Sequence, residues 1–467
     1  MAQTPSDSES SGQHPTNRSD SPTEPTSTEP VNILLVGGGG REHALALKLS
    51  ASPRMGTLFA TDMANPGIAA LAQPMDIPFD LKDPFRLQRW CITNRITLAV
   101  IGPEEPLAAG LADILTGGER GGGGGLGGAV PYVFGPSKQA AQLEGDKAFA
   151  KDIMRAAKVP TADARTFGDY EAARKYLESR TEPHVVKAAG LAKGKGVIVP
   201  ATQGEALAAL DRIMVKREFG AAGAKVVIEE KLKGREVSVL ALCDGRTIYV
   251  LEPCQDHKRL QNGARGPNTG GMGALCPTNA LGDKLLDTIQ RDVLVPTIDA
   301  LKREGIDYTG VIYAGIMLTP GGPKVLEFNC RFGDPECQAL LARWEGDLIS
   351  ELIACCDRKL DQVELRWRPG ASVCVVVAAP GYPDAPIKNL TIEGLDEAGA
   401  CEGVTIIHAG TARTSDRKTV TNGGRVLNVV ATGDDAEHAR KRAYAAVSKI
   451  RLPGMIVRTD IGTDVIG

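Results

Sequence analysis

The stretch Val31-Asn-Ile-Leu-Leu-Val36, which runs through Gly37-Gly-Gly-Gly-Arg-Glu-His43 into Ala44-Leu-Ala-Leu-Lys-Leu49, constrains the fold more than any other. A near-continuous apolar run is what a strand buried on both faces requires, and such strands belong to parallel sheets covered by helices. Strand, glycine turn and helix N-terminus together make a backbone cradle for a phosphate. The dinucleotide fingerprint needs glycine at spacing G-x-G-x-x-G, and its last position here is Glu42 or His43 in either frame. A monophosphate therefore suits the loop better than a nicotinamide dinucleotide, although Asp62 after the next strand imitates the ribose acid. Asn65-Pro-Gly67 and Gly102-Pro-Glu-Glu-Pro-Leu107 each follow a strand-like run, Thr57 to Thr61 and Ile96 to Ile101. Both are expected at the carboxyl edge of the same sheet, where ligands of open α/β folds sit; turn chemistry alone is the competing reading.

A second stretch, Lys324-Val-Leu-Glu-Phe-Asn-Cys-Arg-Phe-Gly-Asp-Pro-Glu-Cys-Gln338, puts an acid, an amide, a guanidinium and two more acids on one apolar run. Val325, Leu326 and Phe328 read as a short buried strand, on which Glu327 and Asn329 lie two apart and share a face. A carboxylate beside an amide oxygen suits Mg²⁺, which takes few protein ligands and completes its shell with phosphate and water. Arg331 follows on the same parity, where a planar fork can hold a phosphate or a carboxylate. A surface hairpin with a solvated polar face is the alternative.

Between these stretches, the glycine run within Leu115 to Ala129 opens no helix and reads as a flexible insertion. Ala140 to Ala156 reads as one charged amphipathic helix that includes Lys147. His184 to Ala189 reads as a strand entering Gly190-Leu-Ala-Lys-Gly-Lys-Gly196 and leaving as Val197 to Val199, a lid that can close on a polyphosphate. It is not a Walker loop, since no G-K-[ST] opens a helix, and a hairpin with solvated lysines competes. Lys225 to Val239 reads as two strands with a turn between them. Backbone groups near Leu232 could read an adenine edge, and Glu229 and Glu236 could accept hydrogen bonds from the adenine amino group and ribose hydroxyls. Cys254 to Arg259 and Gly266 to Gly273 read as polar loops whose bare N–H groups suit an anion or carboxylate.

A chain of 467 residues has room for roughly three domains. Its net charge of −3 gives no global attraction to nucleic acid or membrane, so any anion binding is local. Ten cysteines without a C-x-x-C pair or a metal spacing fit a reduced, cytosolic chain, with Cys355-Cys356 as buried small hydrophobes. No apolar run reaches the ~18 residues of a membrane span. Met1 to Pro30, rich in Ser, Thr, Pro and acids, reads as a disordered tail that is neither a signal nor a transit peptide.

These motifs resemble the ATP-grasp ligases, and within them the phosphoribosylamine–glycine ligases. The family's order is kept by Gly39-Gly-Arg-Glu-His-Ala44, Gly102 to Leu107, Ala140-Ala-Gln-Leu-Glu144, Gln255-Asp-His-Lys-Arg259, Gly266-Pro-Asn-Thr-Gly-Gly-Met-Gly273 and Glu327 to Glu336. The resemblance implies an α/β fold (α+β overall): a tail over 1–30, an N-terminal parallel-sheet domain over 31–137, an ATP-grasp core over 138–361 with a mobile lid at about 155–226, and a small mixed C-terminal domain over 362–467. It implies joining of 5-phosphoribosylamine to glycine with ATP and Mg²⁺, Mn²⁺ being the alternative metal, in the purine biosynthesis of the cytoplasm. The partners implied are small molecules, with no nucleic acid and no membrane, and the chain is expected as a monomer or weak dimer.

Carried over by matching motif, Lys147, Lys187, Gly194, Lys195 and Gly196 would contact ATP, together with Glu229, Glu230, Leu232 and Glu236 on the adenosine side. Glu327 and Asn329 would hold the metal, since Tyr313 to Met317 on the preceding strand offers no further acid; one ion or two stays open. The ribose-phosphate substrate would sit among Gly39, Gly40, Arg41, Glu42, Asn65, Gly67, Pro103, Glu104, Asp256 and the loop Asn268, Thr269, Gly270, Gly271. Lys258, Arg331, Asp334 and Glu336 would be catalytic. The chain departs from the family at Ala189, where a polar residue is usual, at the additional cation Lys193, at Arg235 and at Met63-Ala64. In the C-terminal region Asn422-Gly423 reads as a hairpin turn, with a minor substrate role open for Thr421 to Arg425. Two rivals remain: another ATP-grasp carboxylate–amine ligase, and a nucleotide-binding protein without catalysis.

Overall fold

The computed structural model describes residues 29–117, 129–192 and 195–463. The tail reading falls, as far as residue 28, outside the described residues, as do most of the glycine insertion (118–128) and the lid residues Lys193 and Gly194.

Strands β1 (Val31–Val36), β2 (Met55–Ala60), β3 (Gln73–Pro74), β4 (Ile96–Ile101) and β5 (Tyr132–Phe134) form a parallel sheet in the order β3-β2-β1-β4-β5. The apolar run of β1 is buried on both faces because successive side chains enter different cores. Ile33 and Leu35 join Leu45 and Leu49 of the helix Gly40–Ser50, whereas Leu34 and Val36 pack with Leu87, Leu107 and Leu111. Chain order reverses beside β1, so the loops after β1 and β4 open next to each other at the switch point.

An antiparallel sheet of β6 (Ala164–Phe167), β7 (Val185–Ala188), β8 (Val197–Ile198) and β9 (Val226–Glu229) runs β6-β9-β7-β8. The remaining strands of the middle region are β10 (Arg235–Cys243), β11 (Ile248–Val250), β12 (Gln255–Asp256), β13 (Arg259–Gln261), β14 (Arg265–Asn268), β15 (Gly273–Cys276), β16 (Gly310–Thr319) and β17 (Gly322–Asn329). Of these, β11-β10-β16-β17 form one sheet and β13-β14 a small ribbon. C-terminal strands β18 (Ala371–Ala378), β19 (Val404–His408) and β22 (Arg425–Gly433) continue a sheet ordered β12-β15-β18-β22-β19, while β20 (Thr411–Arg413) pairs only with β21 (Thr419–Thr421). The C-terminal sheet therefore borrows two strands from the middle of the chain, and this carries the loops 257–272 to the interface.

Three local readings change. Ala140 to Ala156 is not one helix: Asp146 is extended and caps a new helix, Lys147–Ala156, by accepting from the N–H groups of Ala148 at 2.9 Å and Phe149 at 3.3 Å. The two strands read in Lys225 to Val239 are present as β9 and β10, which lie in different sheets. Cys254 to Arg259 and Gly266 to Gly273 are not plain loops: they contribute to β12, β13, β14 and β15, and Cys254 and Met272 are buried. Asn422-Gly423 joins β21 to β22, which also lie in different sheets, so it closes no hairpin. Cys355 is buried and Cys356 partly so, as small apolar residues would be. Among the described residues no helix is long and apolar enough to cross a membrane.

Candidate active site

The loops after β1 and β4, the β6–β9 sheet, β17 and the segment 255–270 surround one cleft of about 840 Å³. Glu327 lies on its wall at the end of β17. Burial works against the ionised carboxyl, but Lys258, Lys187 and Lys147 outweigh it and hold it down at about 2. Lys258 stands 3.5 Å from Glu327 and is also paired with Glu236; these two acids overcome burial and keep its ammonium protonated well above the usual range. For Lys147 burial wins and its affinity for the proton falls, although Glu327 opposes this. A permanently ionised carboxylate among three lysines is a place for a polyanion and its cation.

Arg331 lies just beyond β17. Its guanidinium reaches Glu144 Oε1 at 2.9 Å and Glu104 Oε2 at 3.6 Å, and donates to Asn329 Oδ1 at 3.2 Å. Glu144 Oε2 also accepts from the backbone N–H of Cys330 at 2.7 Å, which fixes the chain where the strand ends. Glu336 is buried and accepts at Oε1 from Tyr313 OH at 2.5 Å and Ser238 Oγ at 3.0 Å. Burial, then the neighbouring Glu336, pushes the Asp256 carboxyl well above the usual range. Burial opposes ionisation of Asp334 too, but Arg425 and Arg41 more than compensate, so it stays low. The site thus holds carboxyls whose proton affinity burial raises, Asp256 and Glu144, beside Glu327 and Asp334, whose proton affinity neighbouring cations lower.

In the first glycine loop Glu42 is the organiser. It is buried, accepts from Gly39 N–H at 2.7 Å and from Arg41 Nε at 2.6 Å, and leaves no room at Gly102, where a Cβ would lie 2.0 Å from its Oε1. Arg41 in turn donates to Phe332 O at 3.0 Å, tying the loop to the segment that carries Arg331.

Most residues expected at the site line the cleft: Gly39, Arg41, Glu42, Pro103, Glu104, Lys147, Lys187, Gly196, Glu229, Glu230, Leu232, Glu236, Asp256, Lys258, Asn268, Thr269, Gly270, Glu327, Asn329, Arg331, Asp334 and Glu336. Several do something other than expected. Glu229 is clamped between Lys187 and, at 2.8 Å, Lys151, so its carboxylate is already engaged by two lysines rather than offered to adenosine. Asn65 is spent inside the protein: its amide donates to Gly38 O and His408 O at 3.0 and 2.9 Å, and its Oδ1 accepts from Gly67 N–H at 2.9 Å. Gly40 and Gly67 do not line the cleft; a Cβ on Gly40 would meet Asn428 and Gln338, and one on Gly67 the His43 ring. Gly271, at φ +113°, serves a turn packed on Pro335 and Asp256. Lys195 Nζ points to Pro383 O, 3.4 Å away in the C-terminal domain. Gly194 lies outside the described residues.

Sequence reasoning missed Lys151, Glu144 and Tyr313, all of which line the cleft, as does Arg425, the last residue of the stretch left open for a minor substrate role. Lys151 stands one helical turn from Lys147, a spacing that puts both on one face and could have flagged it. Tyr313 had no local signal, because strand pairing brings it in.

The chain matches the phosphoribosylglycinamide synthetase N domain over residues 31–144, the ATP-grasp (A) domain over 145–337 and the C domain over 372–464. It is 47% identical over 437 residues to a phosphoribosylamine–glycine ligase of Rhodopirellula baltica, covering 92% of this chain and 97% of that protein. The crystal structure of a phosphoribosylamine–glycine ligase from Thermotoga maritima superposes with a TM-score of 0.76 at 30% identity, covering 92% of this chain and 100% of that one. A biotin carboxylase domain from Hydrogenobacter thermophilus, solved with MgADP, shares the fold at 16% identity and a TM-score of 0.67, over 91% of each chain. A cleft built from three consecutive domains, all matched in order, establishes that this chain belongs to the phosphoribosylglycinamide synthetase family.

Proposed function

We propose that the cleft joins 5-phosphoribosylamine to glycine at the expense of ATP, yielding glycinamide ribonucleotide, ADP and phosphate in purine biosynthesis. Similarity to named ligases over nine-tenths of the chain supports the substrates. The observation that carries the chemistry is Glu327, ionised and ringed by Lys258, Lys187 and Lys147. In the first step a glycine carboxylate oxygen attacks the γ-phosphorus, the bond to the β-phosphate oxygen breaks, and ADP leaves glycyl phosphate behind. In the second the amine nitrogen of phosphoribosylamine attacks the acyl carbon, the C–O bond to phosphate breaks, and the nitrogen gives up a proton.

The three lysines neutralise the polyphosphate, with Lys147 and Lys187 on ATP. Gly194, Lys195 and Gly196 of the lid loop, Glu230 and Leu232 complete the nucleotide side. Arg331 and Lys258 face the transferred group; Asp334 and Glu336 hold the acceptor end, where the buried carboxyl of Asp256 also lies. Gly39, Arg41, Pro103, Glu104 and the loop Asn268 to Gly270 receive the ribose phosphate. One carboxylate and one amide oxygen on a single strand face suit Mg²⁺ or Mn²⁺, which would be held by Glu327 and Asn329 and would spread phosphate charge. The domain limits proposed are 31–137, 138–361 and 362–467, and the setting is the cytoplasm with small-molecule partners. The few large apolar side chains exposed among the described residues, such as Phe85, Ile92 and Ile387, fit a monomer or weak dimer.

The test is ADP release from ATP with glycine and freshly made phosphoribosylamine. Release that needs both supports the reading. Release with another amine or another acid would reassign the substrates within the ATP-grasp ligases.

A further inference from the structure

Gly270, in the loop assigned to the ribose-phosphate substrate, is held from both sides by the C-terminal domain. Its N–H donates to Tyr382 OH at 3.1 Å, and its carbonyl accepts from Arg425 Nη1 at 2.7 Å. The same Nη1 donates to the backbone carbonyl of Asp334 at 2.7 Å, while Nη2 lies 3.2 Å from the Asp334 carboxylate. One guanidinium thus ties a glycine loop from the middle of the chain to the Asp334-Pro-Glu336 turn. There is no slack in the grip: a Cβ on Gly270 would lie 3.1 Å from Arg425 Cζ, and one on Gly424 would lie 2.4 Å from the Tyr382 ring.

We infer that Tyr382 and Arg425 are positioning residues for the amine substrate, and that the C-terminal domain contributes to catalysis through them. A glycine-rich loop left to itself samples many backbone states, and its N–H groups face an anion only when the peptide planes are fixed. Tyr382 and Arg425 fix the plane on either side of Gly270, and Arg425 sets the distance from that loop to Asp334. Neither is bonded to Lys147 or Lys187, the lysines assigned to ATP, which stand on the helix Lys147–Ala156 and on β7. This inference rests on the proposed ligase reading and adds two residues to it.

Tyr382→Phe removes one oxygen and keeps the ring packed on Gly424, so it leaves the fold intact. Arg425→Met removes both ties, and Arg425→Lys restores the charge without the fork. In steady-state assays with all three substrates, Tyr382→Phe is expected to raise the apparent KM for phosphoribosylamine about 3- to 10-fold, the scale of one neutral hydrogen bond. Arg425→Met should raise it more than about 30-fold, with little recovery in Arg425→Lys, because the lost bonds are charge-assisted and bifurcated. The KM for ATP should stay within about twofold of wild type. A purely structural role would lower the melting temperature and kcat without this split between substrates. If Tyr382→Phe and Arg425→Met leave the KM for phosphoribosylamine unaltered beside an active wild type, or raise both KM values alike, the inference is overturned. A wild-type chain that releases no ADP with the three substrates removes the ligase reading, and this inference with it.

Discussion

Arg331 donates from Nη2 to Asn329 Oδ1 at 3.2 Å, so the guanidinium assigned to the transferred group also orients the amide oxygen assigned to the metal. Glu144 anchors that guanidinium from behind at 2.9 Å. Catalytic cation and metal ligand are therefore one mechanical unit, and disturbing either should show in the other. Arg331→Lys keeps the charge but puts it on a flexible stem, without the rigid guanidinium that holds Nη2 against both Glu144 and Asn329. Its turnover is expected to fall about 100-fold, the scale of a lost charge-assisted contact pair, and its half-saturating Mg²⁺ should rise. A Mg²⁺ titration of ADP release checks this; an unchanged Mg²⁺ midpoint would separate the two roles.

Lys151 matters through Glu229. It is buried, bonds Thr161 Oγ1 at 2.9 Å and Glu229 Oε2 at 2.8 Å, and thereby shares Glu229 with Lys187. In Lys151→Met the whole of Glu229 falls to Lys187, which is drawn away from nucleotide. The KM for ATP should rise about tenfold, and breaking the buried pair should cost about 3 kcal/mol of stability. Denaturant unfolding and ATP titration of one preparation read both effects. Stability loss with an unchanged KM for ATP would confine Lys151 to the fold.

Gly39 donates its N–H to Glu42 Oε2 at 2.7 Å, and a Cβ there would lie 2.8 Å from the same oxygen. Gly39→Val must push Glu42 aside and crowd the phosphate cradle. The KM for phosphoribosylamine is expected to rise at least about tenfold, on the scale of a lost anion contact at a helix N-terminus, while ATP binding stays nearly unchanged. Equal loss of affinity for ATP, or thermal stabilisation of the wild type by NAD, would refute placement of the ribose phosphate here.

Glu351 provides a pH-dependent test of stability remote from the chemistry. Burial, opposed by a hydrogen bond from Trp344 Nε1 at 2.5 Å and aided by Asp347, pushes its carboxyl up to about 7. The folded-state value exceeds the unfolded one, so the native chain binds the extra proton. Stability is full below about 4.5, falls as pH rises through 7, and is lower by about 3 kcal/mol above that. Glu351→Gln, which keeps an acceptor for Trp344, should be more stable than wild type at pH 8 and equal to it near pH 5. Parallel melting curves for the two proteins across that range would sink the assignment.

What the sequence made legible was local. The alternation in Val325 to Asn329 is enough to put Glu327 and Asn329 on one face, and the apolar run of β1 is enough to demand a parallel sheet. What it hid depends on contacts made far along the chain. Glu229 looks free in sequence because Lys151 and Lys187 reach it from a helix and a neighbouring strand. Asn65 looks like a ligand because the carbonyl of His408, which takes its amide, is 343 residues away. Gly273 looks like the end of a loose loop because its pairing partner, Val375, lies about a hundred residues on, in a strand that begins at Ala371. Asp146 broke the expected helix by a capping bond that the apolar period alone does not reveal.

The acyl phosphate is the centre of the account, and isotope transfer addresses it most directly. Glycine labelled with ¹⁸O in both carboxylate oxygens should, in a complete reaction with ATP and phosphoribosylamine, pass one labelled oxygen to each phosphate released, because the C–O bond to that oxygen breaks in the second step. Phosphate free of label after complete turnover would contradict the account.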